Sequence, residues 1–179
     1  ENGELYTAVR SGASEREQER IAAFYDYLEI QPDGNNMFMI RNGTLESVED
    51  LHAINRRIIE LGKKLGKPVA ATGDVHYIDQ SDAYFREILQ YSQGFTDVGE
   101  ERSLYYRTTQ EMLDEFSYLG DELAHEVVVD APRAIAASIE PIVPIPEGLH
   151  PPVIDGSDEQ IRSMAWKRCR QMYGDPAPE

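Results

Sequence analysis

An α/β fold with a parallel sheet is predicted by three features. A long amphipathic run, 44-TLESVEDLHAINRRIIELGKKL-65, lies between two short extended runs, 27-YLEIQ-31 and 69-VAAT-72. The joint from helix to second strand is only Gly66-Lys67-Pro68, so strand, helix and strand read as one right-handed crossover unit. The residues of VAAT are small and mostly apolar on both faces, which suits a strand buried on both sides.

The elements follow in order. Residues 14–27, SEREQERIAAFYDY, read as a helix with Ser14 as cap and Glu17 closing a capping box. In YLEIQ, Leu28 and Ile30 alternate with Glu29 and Gln31, the period of a strand. PDGNN, 32–36, is a turn cluster. MFMIRNG is either a loop or a brief strand. In the long helix Leu45, Val48, Leu51, Ile54, Ile58, Leu61 and Leu65 recur at three- and four-residue steps. Lys63 and Lys64 suit its last turn, and Gly66 ends it.

After Tyr77 the pattern turns helical. Residues 81–94 form a helix stopped by Gly94, and 95–107 a loop. Thr108 and Glu111 make a second capping box. The run from Asp121 divides into two helices at Asp130, with Asp130 as N-cap and Pro132 in the first turn of the second. Five prolines between 141 and 152 predict an extended strap. Ser157 with Gln160 opens a final amphipathic helix, and the tail DPAPE is expected to be disordered. There is no internal repeat and no Gly-rich phosphate loop.

Bulk properties narrow the function. The chain has 179 residues, enough for one domain or one and a part. Seventeen Lys and Arg face 33 Asp and Glu, a net charge of −16. Such a surface does not grip nucleic acid by itself, which needs dense positive charge. It favours solubility, and it suits cations where carboxylates converge. The single cysteine, Cys169, excludes an internal disulfide and a CxxC knuckle, and is read as structural. Apolar runs fall short of a membrane span, no signal peptide is present, and a cytoplasmic location is expected. The chain opens without Met on ENGELYTAVR, which reads as mid-domain and suggests a piece of a longer protein.

The chemistry concentrates at 73-GDVH-76. In α/β sheets reactive side chains gather at the carboxyl ends of parallel strands. Asp74 and His76 follow such a strand and, two apart in extended backbone, point to one side. A carboxylate and an imidazole so placed could share a divalent ion. The bland alternative is a turn capped by Asp74 beside a half-buried His76. A metal site needs three or more protein donors, and no H-x-H or H-E-x-x-H occurs here. Glu29 and Asp33, near the end of the first strand, are candidate partners. His52 lies on the flank of the long helix, His125 inside a later helix and His150 in the strap. No catalytic triad stands out.

The run KKLGKPVAATGDVHYID closely resembles the last metal-binding motif of the PHP (polymerase and histidinol phosphatase) domain of bacterial replicative DNA polymerases, most of all the PolC-type DNA polymerase III alpha subunits. ENGELYTAV, FYDYLEIQP, YYRTTQEML, HEVVVDAPRAIA and PIVPIPEGLHPPVIDGSDEQIR resemble other segments of that family, in order along the chain. The resemblance implies the C-terminal part of a distorted (β/α)7 PHP barrel over 1–140, a Pro-rich linker over 141–154, and the start of the polymerase core over 155–179. It makes Asp74 and His76 metal ligands. It sets Asp33 where related subunits can carry a ligand His, and Glu29 on the strand before another ligand position. The family's early H-x-H and its inserted exonuclease would precede this segment, and the polymerase aspartates would follow it.

The implied function is a part of a DNA-directed DNA polymerase, with no catalysis from the segment alone. Zinc or manganese would serve the intact PHP site and magnesium the polymerase. Partners would be the rest of the polymerase chain, replisome proteins, and DNA through the parent enzyme. Open sheet edges and exposed apolar faces would favour a homodimer, strand exchange or local rearrangement in the isolated segment. Two alternatives stand beside this: a free-standing PHP phosphoesterase, and a non-enzymatic acidic interaction module.

Overall fold

The computed structural model describes residues 3–95, 103–145, 147–149 and 151–175. They divide into two units, 1–140 and 141–179. The first begins with helices α1 (Glu4–Arg10) and α2 (Glu15–Phe24) and strand β1 (Leu28–Ile30). Two single-turn helices follow, α3 (Asp33–Asn36) and α4 (Phe38–Arg41), then the long α5 (Val48–Leu65) and strand β2 (Val69–Ala71). A 3₁₀ turn, Gln80–Asp82, leads into α6 (Ala83–Ser92). Beyond it come α7 (Thr109–Glu115), a 3₁₀ turn at Ser117–Leu119, α8 (Asp121–His125), a π-turn at Glu126–Asp130 and α9 (Ala131–Ser138). The architecture is mixed α/β and dominated by helix.

The predicted strand–helix–strand unit is present. β1 and β2 pair in parallel, with Leu28 opposite Val69, Glu29 opposite Ala70 and Ile30 opposite Ala71. This is the one sheet among the described residues, and it has two strands. All three residues of β2 are buried, whereas β1 alternates, with Glu29 exposed. α5 lies close on the sheet because Gly62 faces it. A Cβ built there would stand 2.3 Å from Val69 Cγ2 and 3.7 Å from Leu28 Cδ1, so only glycine lets the helix backbone approach this near. The core spreads from this contact through Leu28, Ile30, Ile54, Ile58 and Leu61 to Phe116 and Val127.

Local chemistry sets the helix limits, at places other than some of those expected. α5 begins at Val48 rather than Thr44. The Asp50 carboxylate accepts from the Ser47 and Glu46 N–H groups, at 2.8 and 3.0 Å, which closes the capping box at Ser47. These bonds hold the Asp50 carboxyl below its usual range. Gly66, at φ 65°, ends the helix as expected. The Thr108–Glu111 box is also present. At Ser14 only half of the expected box forms: Ser14 Oγ accepts from Glu17 N–H, but the Glu17 carboxylate turns to Arg20.

Three segments depart from expectation. PDGNN and MFMIRNG are single helical turns rather than a turn cluster and a loop or strand, since Arg41 and Asn42 donate back to Met37 and Phe38. Asp130 stands at the N-cap position of α9, with Pro132 in its first turn as expected, but its side chain makes no capping bond. Its backbone is right-handed helical, and its carboxylate sits 3.0 Å from His125 Nδ1 inside a continuous helical stretch. Pro132 lacks the N–H that an unbroken α-helix would need there, and the wider π-turn before it absorbs the break.

In the second unit, residues 141–156 hold no regular element among those described, and α10 (Ser157–Tyr173) follows. Ser157 is the first residue of α10 rather than its cap; Gly156 O accepts from Gln160 N–H at 3.0 Å. His150, much of the expected 95–107 loop and residues 176–179 of the tail lie outside the described residues. Among the described residues no helix is long and apolar enough to cross a membrane.

Candidate metal centre

The chain leaves β2 through Thr72 and Gly73 into the predicted Asp74–His76 pair. Asp74 adopts φ +48°, the only described non-glycine residue in the left-handed region. That region costs an L-residue about 1–2 kcal/mol, and aspartate is among the few that tolerate it. Both sides of the turn are clamped. Before it, Asn35 Nδ2 donates to Gly73 O at 2.9 Å. After it, His76 N–H donates to Leu104 O at 2.9 Å, Tyr106 N–H to Tyr77 O at 2.9 Å, and Leu104 N–H to Tyr77 Oη at 3.2 Å.

The turn brings Asp74 Oδ1 within 3.4 Å of His76 Nε2, with side chains 54% and 43% exposed. This is longer than a good hydrogen bond. Two donors on one tetrahedral ion, each at about 2.0–2.1 Å, stand roughly 3.3–3.4 Å apart. The pair therefore has the spacing of adjacent ligands and is open to solvent. It fits a divalent ion, as two of the donors such an ion needs.

The other candidates do not join it: the described residues hold no group of three or more His, Cys, Asp or Glu placed for an ion. The Glu29 carboxylate accepts from Thr72 Oγ1 and from Gln31 Nε2, the latter at 3.3 Å. Asp33 Oδ2 is 2.7 Å from His52 Nε2. His125 is engaged with Asp130, and Cys169 is partly buried in α10.

The His52 cluster is the element that sequence reasoning missed. Its ring stacks on Tyr118, centroids 3.5 Å apart and planes within 4°, and its side chain is only 13% exposed. Glu49 Oε2 lies 3.6 Å from His52 Nδ1 on the opposite side of the ring from Asp33. Asn55, buried one turn on, donates to Tyr118 Oη at 2.9 Å and to Gln31 O at 3.1 Å. A signal was available: His52 and Asn55 are polar residues three apart beside the apolar stripe of α5. Beyond it the Arg107 side chain is buried, donating to Ser103 O and Glu115 and lying over the Tyr105 ring at 4.3 Å.

Burial pushes the Tyr118 phenol up to about 12, against the smaller opposing effect of the Asn55 hydrogen bond. Its folded pKa thus exceeds the ordinary value near 10, so the folded chain holds the proton more tightly. The stabilisation is full below about pH 10 and is lost as pH rises toward about 12. With screening at a partly exposed group, the loss is roughly 1–2 kcal/mol. Urea midpoints followed across that window should fall, and should fall less for Tyr118→Phe.

No family model matches the chain. Curated relatives do. Along its whole length the chain resembles a segment of bacterial replicative polymerases. The relatives are named DNA polymerase III PolC-type: that of Clostridium perfringens is 46% identical over 179 residues, that of Caldanaerobacter subterraneus 51% over 178, and that of Bacillus subtilis 40% over 182. The chain spans only 12–13% of the length of these relatives.

Proposed function

We propose that the chain works as a segment of a PolC-type replicative DNA polymerase, supplying part of its PHP domain, with Asp74 and His76 as two donors of a divalent metal centre. The observation that carries the polymerase assignment is the match over all or nearly all of the chain, at 38–51% identity, to relatives bearing that one name. The 3.4 Å spacing of Asp74 and His76 at a strand's carboxyl end supports the metal assignment.

On this reading β1, α5 and β2 are one unit of the distorted (β/α)7 barrel. Beside β1 lies a groove of about 570 Å³, lined by Tyr6, Phe24, Tyr27, Glu29 and Ile58, where further chain can pack. The missing donors come from elsewhere in the polymerase chain. Zinc or manganese held there would polarise water or a phosphate ester as a Lewis acid. Within this chain, Asp74 and His76 would hold the ion, whereas the Glu29 carboxylate is taken by Thr72 Oγ1 and Gln31 Nε2. Magnesium serves the polymerase centre outside this segment. DNA is engaged by other parts of the enzyme, because a surface of net charge −16 repels it. Replisome proteins are the further partners, in the bacterial cytoplasm.

Template-directed primer extension tests the assignment. The full-length protein should extend a primed template with magnesium and dNTPs, and the 179-residue chain should not. Phosphomonoester hydrolysis by the 179-residue chain alone would instead favour a free-standing phosphoesterase.

A further inference from the structure

The left-handed turn at Asp74 is unusual enough to require a cause. Residues held in sparsely populated backbone regions persist only where their surroundings over-determine them, and they concentrate at functional sites. The residues from 104 to 106 hold the far side of the turn, at His76 and Tyr77. On the near side, the side chain that reaches the turn is that of Asn35, 38 positions earlier.

We infer that Asn35 is a positioning residue for the Asp74–His76 pair: its amide Nδ2 donates to the Gly73 carbonyl and fixes the peptide from which the left-handed turn departs. Asn35 is 4% exposed, so its rotamer is set by packing rather than by solvent. It reaches Gly73 from α3, the helical turn at the end of β1. That turn is itself pinned to α5 through Asp33 Oδ2 and His52 Nε2, at 2.7 Å. A line of contacts therefore runs from Tyr118 through His52 and Asp33 to Asn35 and on to Gly73. Rotation of the Gly73 peptide would swing Asp74 Oδ1 away from His76 Nε2, because that peptide sets the direction in which the turn leaves β2. Groups that orient ligands from one bond further out typically change metal affinity 10–100-fold when removed.

The inference rests on the reading of Asp74 and His76 as metal donors, and the test separates the two. Zinc is titrated into the full-length protein and its Asn35→Ala variant, with urea stability measured alongside. The expected result is a 10–100-fold weaker zinc affinity for Asn35→Ala with the number of sites per chain unchanged. A general loss of fold would instead lower the number of sites per chain and the urea midpoint together. Asn35→Asp preserves side-chain size while replacing the donor by an acceptor. It should weaken zinc to a similar extent, and it serves if the alanine variant fails to fold. Zinc binding within twofold of wild type in a folded Asn35 variant would overturn the positioning role and leave the metal reading standing. Wild-type protein that binds no zinc at this site would overturn both.

Discussion

Phe116→Ala is expected to lower the unfolding free energy by about 3–5 kcal/mol, the cost of deleting a large buried aromatic side chain and leaving a cavity. Phe116 is 0% exposed and follows directly after α7. Its ring joins the core shared by the sheet, α5 and the helices after residue 108, and tilts against Tyr118 at 6.1 Å between centroids. Urea denaturation should show a lower midpoint with an unchanged slope. Phe85, 63% exposed on α6, provides the contrast: Phe85→Ala should change stability by less than about 0.5 kcal/mol. Equal effects at the two positions would contradict the placement of the core.

His52→Ala is expected to cost about 2–4 kcal/mol, although His52 carries no assigned reaction. The substitution removes the stacked ring from Tyr118 and leaves the Asp33 carboxylate, 23% exposed, without its 2.7 Å partner. Among the described residues Asp33 Oδ1 has no hydrogen-bond partner, so the loss would leave both oxygens without one. Much of the cost is therefore the penalty of an uncompensated, mostly buried charge. Two results would support this cause: Glu49→Gln, on the exposed side of the same ring, should have little effect, and Asp33→Asn should reduce the damage done by His52→Ala. Chemical denaturation of the four proteins makes a double-mutant cycle, and strict additivity would exclude the coupling.

The crossover unit was legible because each of its parts carries a local signal. The apolar period of α5, its lysines and Gly66, and the small residues of β2 all point to the same arrangement, and β1 and β2 pair in parallel as expected. The misses have a common cause: they were decided by contacts rather than by propensity. Ser47 caps α5 because Asp50 reaches back to it, although Thr44 offered an equally plausible start. Asp130 looked like a cap before Pro132, but the π-turn let the helix continue. MFMIRNG carries no strong period, and its helical turn buries Met39.

At the site, Asp74 and His76 were expected to share one side of an extended backbone; Asp74 Oδ1 and His76 Nε2 do lie 3.4 Å apart, but a left-handed turn at Asp74, not extended chain, brings them there. The rest was not readable. Asn35 lies 38 residues from Gly73 and Asp33 lies 19 from His52, and no local pattern links either pair. Asp33 shows the difference most clearly. Position along the chain made it a candidate ligand, whereas packing gives its carboxylate to His52. The left-handed backbone of Asp74 was equally invisible, because Gly73 beside it is the residue from which such a conformation would be expected.

One calorimetric titration of zinc and of manganese, into the 179-residue chain and into the full-length protein, tests the metal centre most directly. Two donors alone should bind weakly, so tight binding is predicted only for the longer chain, at one site, and is predicted to be lost in both Asp74→Ala and His76→Ala. Unchanged tight binding in those variants, or no binding by the full-length protein, would contradict the assignment and leave 73-GDVH-76 a structural turn.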